Sequence, residues 1–175
     1  MSSPLLRWLH ERRATLKGIA IGSATWPVAL AAAWSWWPHP RTDVVDRVAY
    51  ALQLTAAPAL LLLLMIAACL RLFDTAGAED PSRGAESRRF KLNQRVLTNT
   101  LEQLAAFALL LLALAPRLPA SQLKVLPIAV TLWCSGRVMF WIGYHIAPHW
   151  RAPGFDWTYY TAVLLAGWFL YTLVA

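Results

Sequence analysis

The stretch Arg95–Ala115, RVLTNTLEQLAAFALLLLALA, decides the fold. From Val96 to its end Glu102 is the only charged residue. About 20 predominantly apolar residues are enough for a helix to cross a bilayer, so this run reads as a membrane span. The carboxylate within it needs an explanation, because an ionisable group inside a span is expensive and marks function by default.

Four more runs of this kind flank it. Gly18–Trp37 carries no charge and ends at Pro38-His39-Pro40; Val48–Leu70 lies between Arg47 and Arg71. Val125–Ala147 contains the single charge Arg137, and Trp157–Ala175 is uncharged to its end. Composition agrees with the runs: 58% of the 175 residues are hydrophobic and 14% charged, with a mean hydropathy of +0.46. Globular chains average about 45–50% apolar and about 25% charged, so a soluble fold of this size could not hide the apolar surface. The expected architecture is an all-α, polytopic transmembrane helix bundle of five spans in contact with the lipid bilayer. The first run is read as a retained span rather than a cleaved signal peptide. It exceeds the usual apolar length of about 7–15 residues, and Trp34, Trp36 and Trp37 stand where small residues would precede a cleavage site.

Charge asymmetry orients such a bundle. The N-terminal segment holds Arg7, Arg12, Arg13 and Lys17, and the Arg71–Arg95 connection holds Arg71, Arg83, Arg88, Arg89, Lys91 and Arg95. With Arg151, these lie on one side of a five-span topology; Arg41, Arg47, Arg117 and Lys124 lie on the other. Basic loops stay in the cytoplasm, which places the N-terminus there, in an inner (cytoplasmic) membrane if the source is bacterial. Asp74–Ser87, rich in Gly, Pro, Ser and mixed charge, reads as a cytoplasmic loop. The net charge of +7 is explained by headgroups and topology, and nucleic acid is not an expected partner, since no basic patch accompanies a soluble module. Cys69 and Cys134 fall in apolar runs and read as core residues. The four His (His10, His39, His145, His149) lack ligand spacing, so no metal site is expected. Ten Trp suit the membrane–water boundaries. Pro27, Pro58 and Pro127 read as tolerated span prolines.

Within the third span Arg95, Asn99 and Glu102 are spaced i, i+4, i+7. At 3.6 residues per turn they fall within roughly 60° on one helix face, and Glu102 lies about 10 Å deeper than Arg95. Arg88 and Lys91 extend the stripe. The fourth span returns with Arg137 and Tyr144, again seven apart, and Arg151 follows Pro148. Antiparallel neighbours joined by the short Pro116–Lys124 loop should pack together, forming a cationic, partly buried pocket at the cytoplasmic end. One reading pairs Glu102 with Arg137 as an interhelical ion pair, with Asn99 as a hydrogen-bonding contact. The other takes the surplus of Arg95, Arg137 and Arg151 as a site for an anionic, carboxylate-bearing ligand.

The run Arg95-x3-Asn99-x2-Glu102, followed in order by Arg137-x6-Tyr144-x6-Arg151, resembles the MAPEG family, membrane-associated proteins in eicosanoid and glutathione metabolism. The resemblance covers roughly Arg47 to Ala175 as four spans. It divides the chain into residues 1–44, a basic segment with one additional span, and residues 45–175, a four-helix MAPEG-like domain. It implies a homotrimer with glutathione bound between subunits, on the cytosolic side. By that resemblance Arg95, Asn99 and Glu102 hold the charged γ-glutamyl end and backbone of glutathione. Tyr144 adds a hydrogen bond, Arg137 lies beneath the pocket and pairs with its acidic group, and Arg151 is the catalytic arginine that stabilises the thiolate. Three positions differ from the leukotriene-forming members: Phe140 and Gln103 each replace a Tyr, and Leu97 replaces a polar residue that reaches the neighbouring subunit. Arg71 is a candidate cation across that boundary.

The expected function is therefore a membrane-embedded glutathione-dependent transferase or peroxidase acting on a lipophilic small-molecule substrate. The alternative on the same scaffold is a non-catalytic lipid- or ligand-binding protein, of which the family contains an example. A transporter or channel subunit is a third reading, without an inverted repeat or broken helix pair in its favour.

Overall fold

The computed structural model describes residues 4–38, 46–68 and 84–174. Among them all regular structure is helical: α1 Pro4–Trp36, α2 Asp46–Leu54, α3 Ala56–Ile66, α4 Arg88–Leu114, α5 Val125–Ile146 and α6 Ala152–Val174. Five helical stretches are long and apolar enough to cross a membrane, with α2 and α3 together forming the second. This is an all-α transmembrane bundle and an integral membrane protein. Cys69, Arg71, His39, Arg41 and most of the Asp74–Ser87 loop lie outside the described residues, as does the division between residues 44 and 45.

Local chemistry sets the helix bounds. Ser87 caps α4, its Oγ accepting from the Phe90 amide at 3.0 Å, so Arg88, Lys91 and Arg95 all ride on that helix. Between α2 and α3 the chain turns at Thr55, whose hydroxyl donates to the Leu52 carbonyl at 2.6 Å. Pro58 follows and has no N–H for the carbonyl four residues back. Pro127 falls in the first turn of α5, where the missing N–H has no intrahelical partner to lose. Ala147 is extended, with φ −164° and ψ 151°, as a residue before proline prefers. A 3-10 turn, Pro148–Arg151, then leads directly into α6. The expected start of the fifth span at Trp157 is corrected: α6 begins at Ala152, with Pro153 tolerated in its first turn. Asp156 thereby lies inside the span.

α5 is the buried centre of the bundle. Away from the basic end, it packs through bulky apolar groups: Phe107 of α4 stacks on Trp133 at 5.3 Å, with Leu111, Leu126 and Leu165 around them. Toward the basic end it meets α6 and the 3-10 turn before it almost backbone to backbone. A Cβ on Gly154 would lie 2.2 Å from the Phe140 amide nitrogen, and one on Gly143 would lie 2.2 Å from the Trp150 carbonyl oxygen. Small residues let membrane helices approach this closely.

α1 packs along α6 rather than standing apart from the bundle. Gly18 and Gly22 lie against Ala152, Pro153 and Asp156. Ser23 and Tyr160 share a hydrogen bond of 2.8 Å, Trp26 Nε1 donates to Thr161 Oγ1 at 3.0 Å, and Trp157 Nε1 donates to Thr25 Oγ1 at 3.0 Å. At the far end Lys124 Nζ donates to the Trp34 carbonyl at 2.8 Å. Arg47 and Arg117 likewise donate to the carbonyls of Leu118 and Thr172. The cations of that end thus serve as ties for free helix-end carbonyls.

Candidate functional site

The α4 stripe presents Arg95 and Glu102 as exposed and Asn99 as half-buried. Facing them, Arg137 of α5 is fully buried. Its Nη1 donates to Asn99 Oδ1 at 2.9 Å and its Nη2 to Thr158 Oγ1 of α6. The Phe140 ring lies 4.5 Å from the guanidinium carbon and the Trp133 ring 5.8 Å from it. Arg137 thus ties α4, α5 and α6 together through neutral acceptors and π-faces. Among the described residues no ion pair joins Arg137 to Glu102, so the interhelical pair read from the sequence is replaced by Asn99 and Thr158. The geometric reason is rotation: α4 turns Asn99 inward toward α5 and leaves Glu102 on its outer face. Arg137 Nε has no hydrogen-bond partner among the described residues.

Tyr144 and Arg151 meet at the basic end, where Arg151 Nη1 donates to the Tyr144 hydroxyl and its guanidinium carbon sits 4.9 Å from the ring centroid. The 3-10 turn makes this contact by folding the chain back over the last turn of α5. Arg151 is exposed and Tyr144 half-buried.

These groups open onto one cavity of about 390 Å³. Arg95 and Asn99 come from α4, Phe140 and Tyr144 from α5, Arg151 and Asp156 from the chain around the start of α6, and Thr15 and Ile19 from α1. Arg95, Tyr144 and Arg151 also border a second cavity of about 560 Å³, with Arg88 and Lys91 on its rim. The first cavity reaches into the membrane-spanning part; the second leads outward from it at the basic end. Volumes of about 300–1,000 Å³ suit a small-molecule site. Two guanidinium groups on one wall suit an anion, and the apolar lining of Phe140, Phe155 and Ile19 suits a hydrophobic body.

Of the six residues singled out in the sequence, Arg95, Asn99, Tyr144 and Arg151 line the cavity. Arg137 lies behind Asn99, and Glu102 lies outside. Phe140 is on the wall. Leu97 is buried beside Met65, Val96 and Phe140, and so points into its own bundle. The buried Oε1 of Gln103 has no hydrogen-bond partner among the described residues. The sequence reading missed Asp156, Thr158 and the two α1 residues. The available signal for Asp156 was Ala152-Pro153 as a helix start, which puts the carboxylate one turn inside the span. Among the described residues no group of three or more His, Cys, Asp and Glu side chains is placed to hold a metal ion.

A model of the MAPEG family matches residues 47–171, a range that holds every lining residue except those of α1. No curated protein and no solved structure matches the chain.

Proposed function

We propose that this chain, which belongs to the MAPEG family, is a membrane-embedded glutathione-dependent transferase or peroxidase acting on lipophilic electrophiles. The observation that carries the reading is the convergence of Arg95, Asn99, Tyr144 and Arg151 on a single cavity that continues outward at the basic end. The family is generally associated with glutathione, and the cavity offers what that tripeptide requires. It has cations for carboxylates, an amide and a hydroxyl for the peptide backbone, and an apolar wall. Glutathione supplies a nucleophilic thiol when bound.

Each residue then has a task. Arg95 and Asn99 hold the charged γ-glutamyl end. Tyr144 steers Arg151 by its hydrogen bond, and Arg151 stabilises the thiolate; a free thiol has a pKa of about 8.5, which a neighbouring guanidinium lowers. Arg137 fixes Asn99 from behind. The electrophile reaches the site from the bilayer.

Arg95 and Glu102 are exposed on the single chain although both sit on a spanning helix. Leaving them in lipid would be costly, which supports a second subunit, in a homotrimer, covering that face of α4. Glu102 would then join the site across the boundary. The cytoplasmic orientation rests on the basic residues that crowd the site's end of the bundle.

The test is calorimetric titration of glutathione into the detergent-purified chain, with thiolate absorbance followed alongside. Arg151→Ala is expected to abolish the thiolate signal and lower turnover of generic electrophiles by roughly 10- to 100-fold, as loss of one charge-assisted contact implies. Arg95→Ala should weaken binding by a similar factor. A chain that binds no glutathione but retains lipid tightly would establish the non-catalytic alternative instead.

A further inference from the structure

Asp156 is the cavity residue whose surroundings are least explained. It is 7% exposed, and its buried Oδ2 has no hydrogen-bond partner among the described residues. Taking a carboxylate out of water without a partner is costly. An ionisable group at such a place in a membrane span marks a functional position.

Its setting is built by two helices. On one side α1 crosses at a glycine: a Cβ on Gly22 would lie 2.5 Å from Asp156 Oδ2 and 2.8 Å from its Cβ. Any larger residue there would push the carboxylate aside, so Gly22 allows α1 to close over it. A hydrogen bond between Ser23 and Tyr160 and one from Trp26 to Thr161 hold α1 in that register. On the other side Asp156 borders the cavity, together with Arg95 and Arg151. Among the described residues lining that cavity it is the one anion. Glu102, the carboxylate that the motif singles out, is not on the wall.

We propose that Asp156 is a ligand-binding residue that takes the α-ammonium group at the γ-glutamyl end of glutathione, and that α1 forms the wall of this subsite. The proposal rests on the glutathione reading of the same cavity and deepens it. The charges agree. Arg95 and Arg151 face the two carboxylates and the thiolate of the tripeptide, and Asp156 on the same wall faces its one ammonium. A site lined by arginines alone would prefer a plain dianion; an aspartate among them selects a zwitterion. Charged groups that can pair only with the right ligand penalise a wrong one that leaves them unpaired. The span outside the family match thereby becomes part of the site, with Thr15 and Ile19 on its wall and Gly22 beneath its carboxylate.

Calorimetry on the full detergent-purified chain tests this with two probes: glutathione, and the same tripeptide lacking only the α-amine (glutaryl-cysteinylglycine). Asp156→Asn is near-isosteric; Asp156→Ser serves as a second variant should the first fail to fold. Either is expected to weaken glutathione roughly 10-fold or more, the range for a hydrogen bond to a charged group. Affinity for the amine-free probe should not fall below that of wild type, since that probe has nothing for Asp156 to hold and, as a dianion, gains from the loss of an anion on the wall. Wild type that binds glutathione while the variants bind it equally well, or lose both probes in step, overturns the proposal and leaves the glutathione reading standing. Wild type that binds neither probe overturns both.

Discussion

The two halves of α5 are packed by opposite means. From Val125 to Trp133 every residue except Thr131 is buried, and the contacts are between large apolar side chains such as Trp133 and Phe107. From Gly136 to Gly143 the close contacts with α6 and with the 3-10 turn before it are made at glycines, and the large side chain buried completely is Arg137. The first half gathers dispersion energy from many atom pairs. The second gives up side-chain volume so that helices come close enough to hold a guanidinium between Asn99 and Thr158. Among the described residues, buried polar atoms without a hydrogen-bond partner occur in both halves, Trp133 Nε1 in the first and Arg137 Nε and Trp141 Nε1 in the second. One half is self-sufficient packing; the other is a frame built around polar groups.

The largest effect that can break this contrast is expected at Gly154. Alanine there would put a Cβ 2.2 Å from the Phe140 amide nitrogen and 2.5 Å from the Gly136 carbonyl oxygen. Neither backbone atom can move without parting α5 from α6. Gly154→Ala is expected to destabilise by about 5 kcal/mol, at the top of the range for overpacking and strain, and to yield little monodisperse protein in detergent. An unchanged thermal transition would remove the case for backbone-to-backbone packing.

Phe107→Ala probes the apolar half. It should cost about 4 kcal/mol through the cavity left beside Trp133, lowering the thermal midpoint while leaving the proposed glutathione affinity of the surviving folded protein unchanged. Arg137→Ala probes the other half and should cost about 3 kcal/mol, because Asn99 Oδ1 and Thr158 Oγ1 both lose the guanidinium donor. Here the proposed glutathione affinity should fall along with stability, since Asn99 is on the wall. Equal effects of Phe107→Ala and Arg137→Ala on binding, measured by the same titration, would show that the halves are not functionally distinct.

Much of the bundle is legible in the residues. Five apolar runs of the right length become five spanning stretches, because the bilayer imposes one length and one backbone solution on all of them. The α4 stripe is equally legible, since helical periodicity alone puts Arg95, Asn99 and Glu102 on neighbouring rows. Helix starts read less well. Asp156 escapes when the fifth span is begun at the first wholly apolar residue, whereas α6 begins at Ala152-Pro153, where a missing N–H carries no penalty.

The sequence by itself determined that this is a five-span membrane protein of the MAPEG family, with a basic end and its charges on α4, α5 and the following turn. Hydropathy, charge count and spacing are properties of the chain, independent of how helices turn toward one another. Only the tertiary structure decided that Arg137 bonds Asn99 and Thr158 rather than Glu102. It alone placed the additional helix against α6, and Asp156 between Gly22 and the cavity. Those outcomes depend on how far each helix rotates about its axis and how closely glycines let backbones approach. Spacing along one helix cannot express either quantity, because both belong to the contact between two.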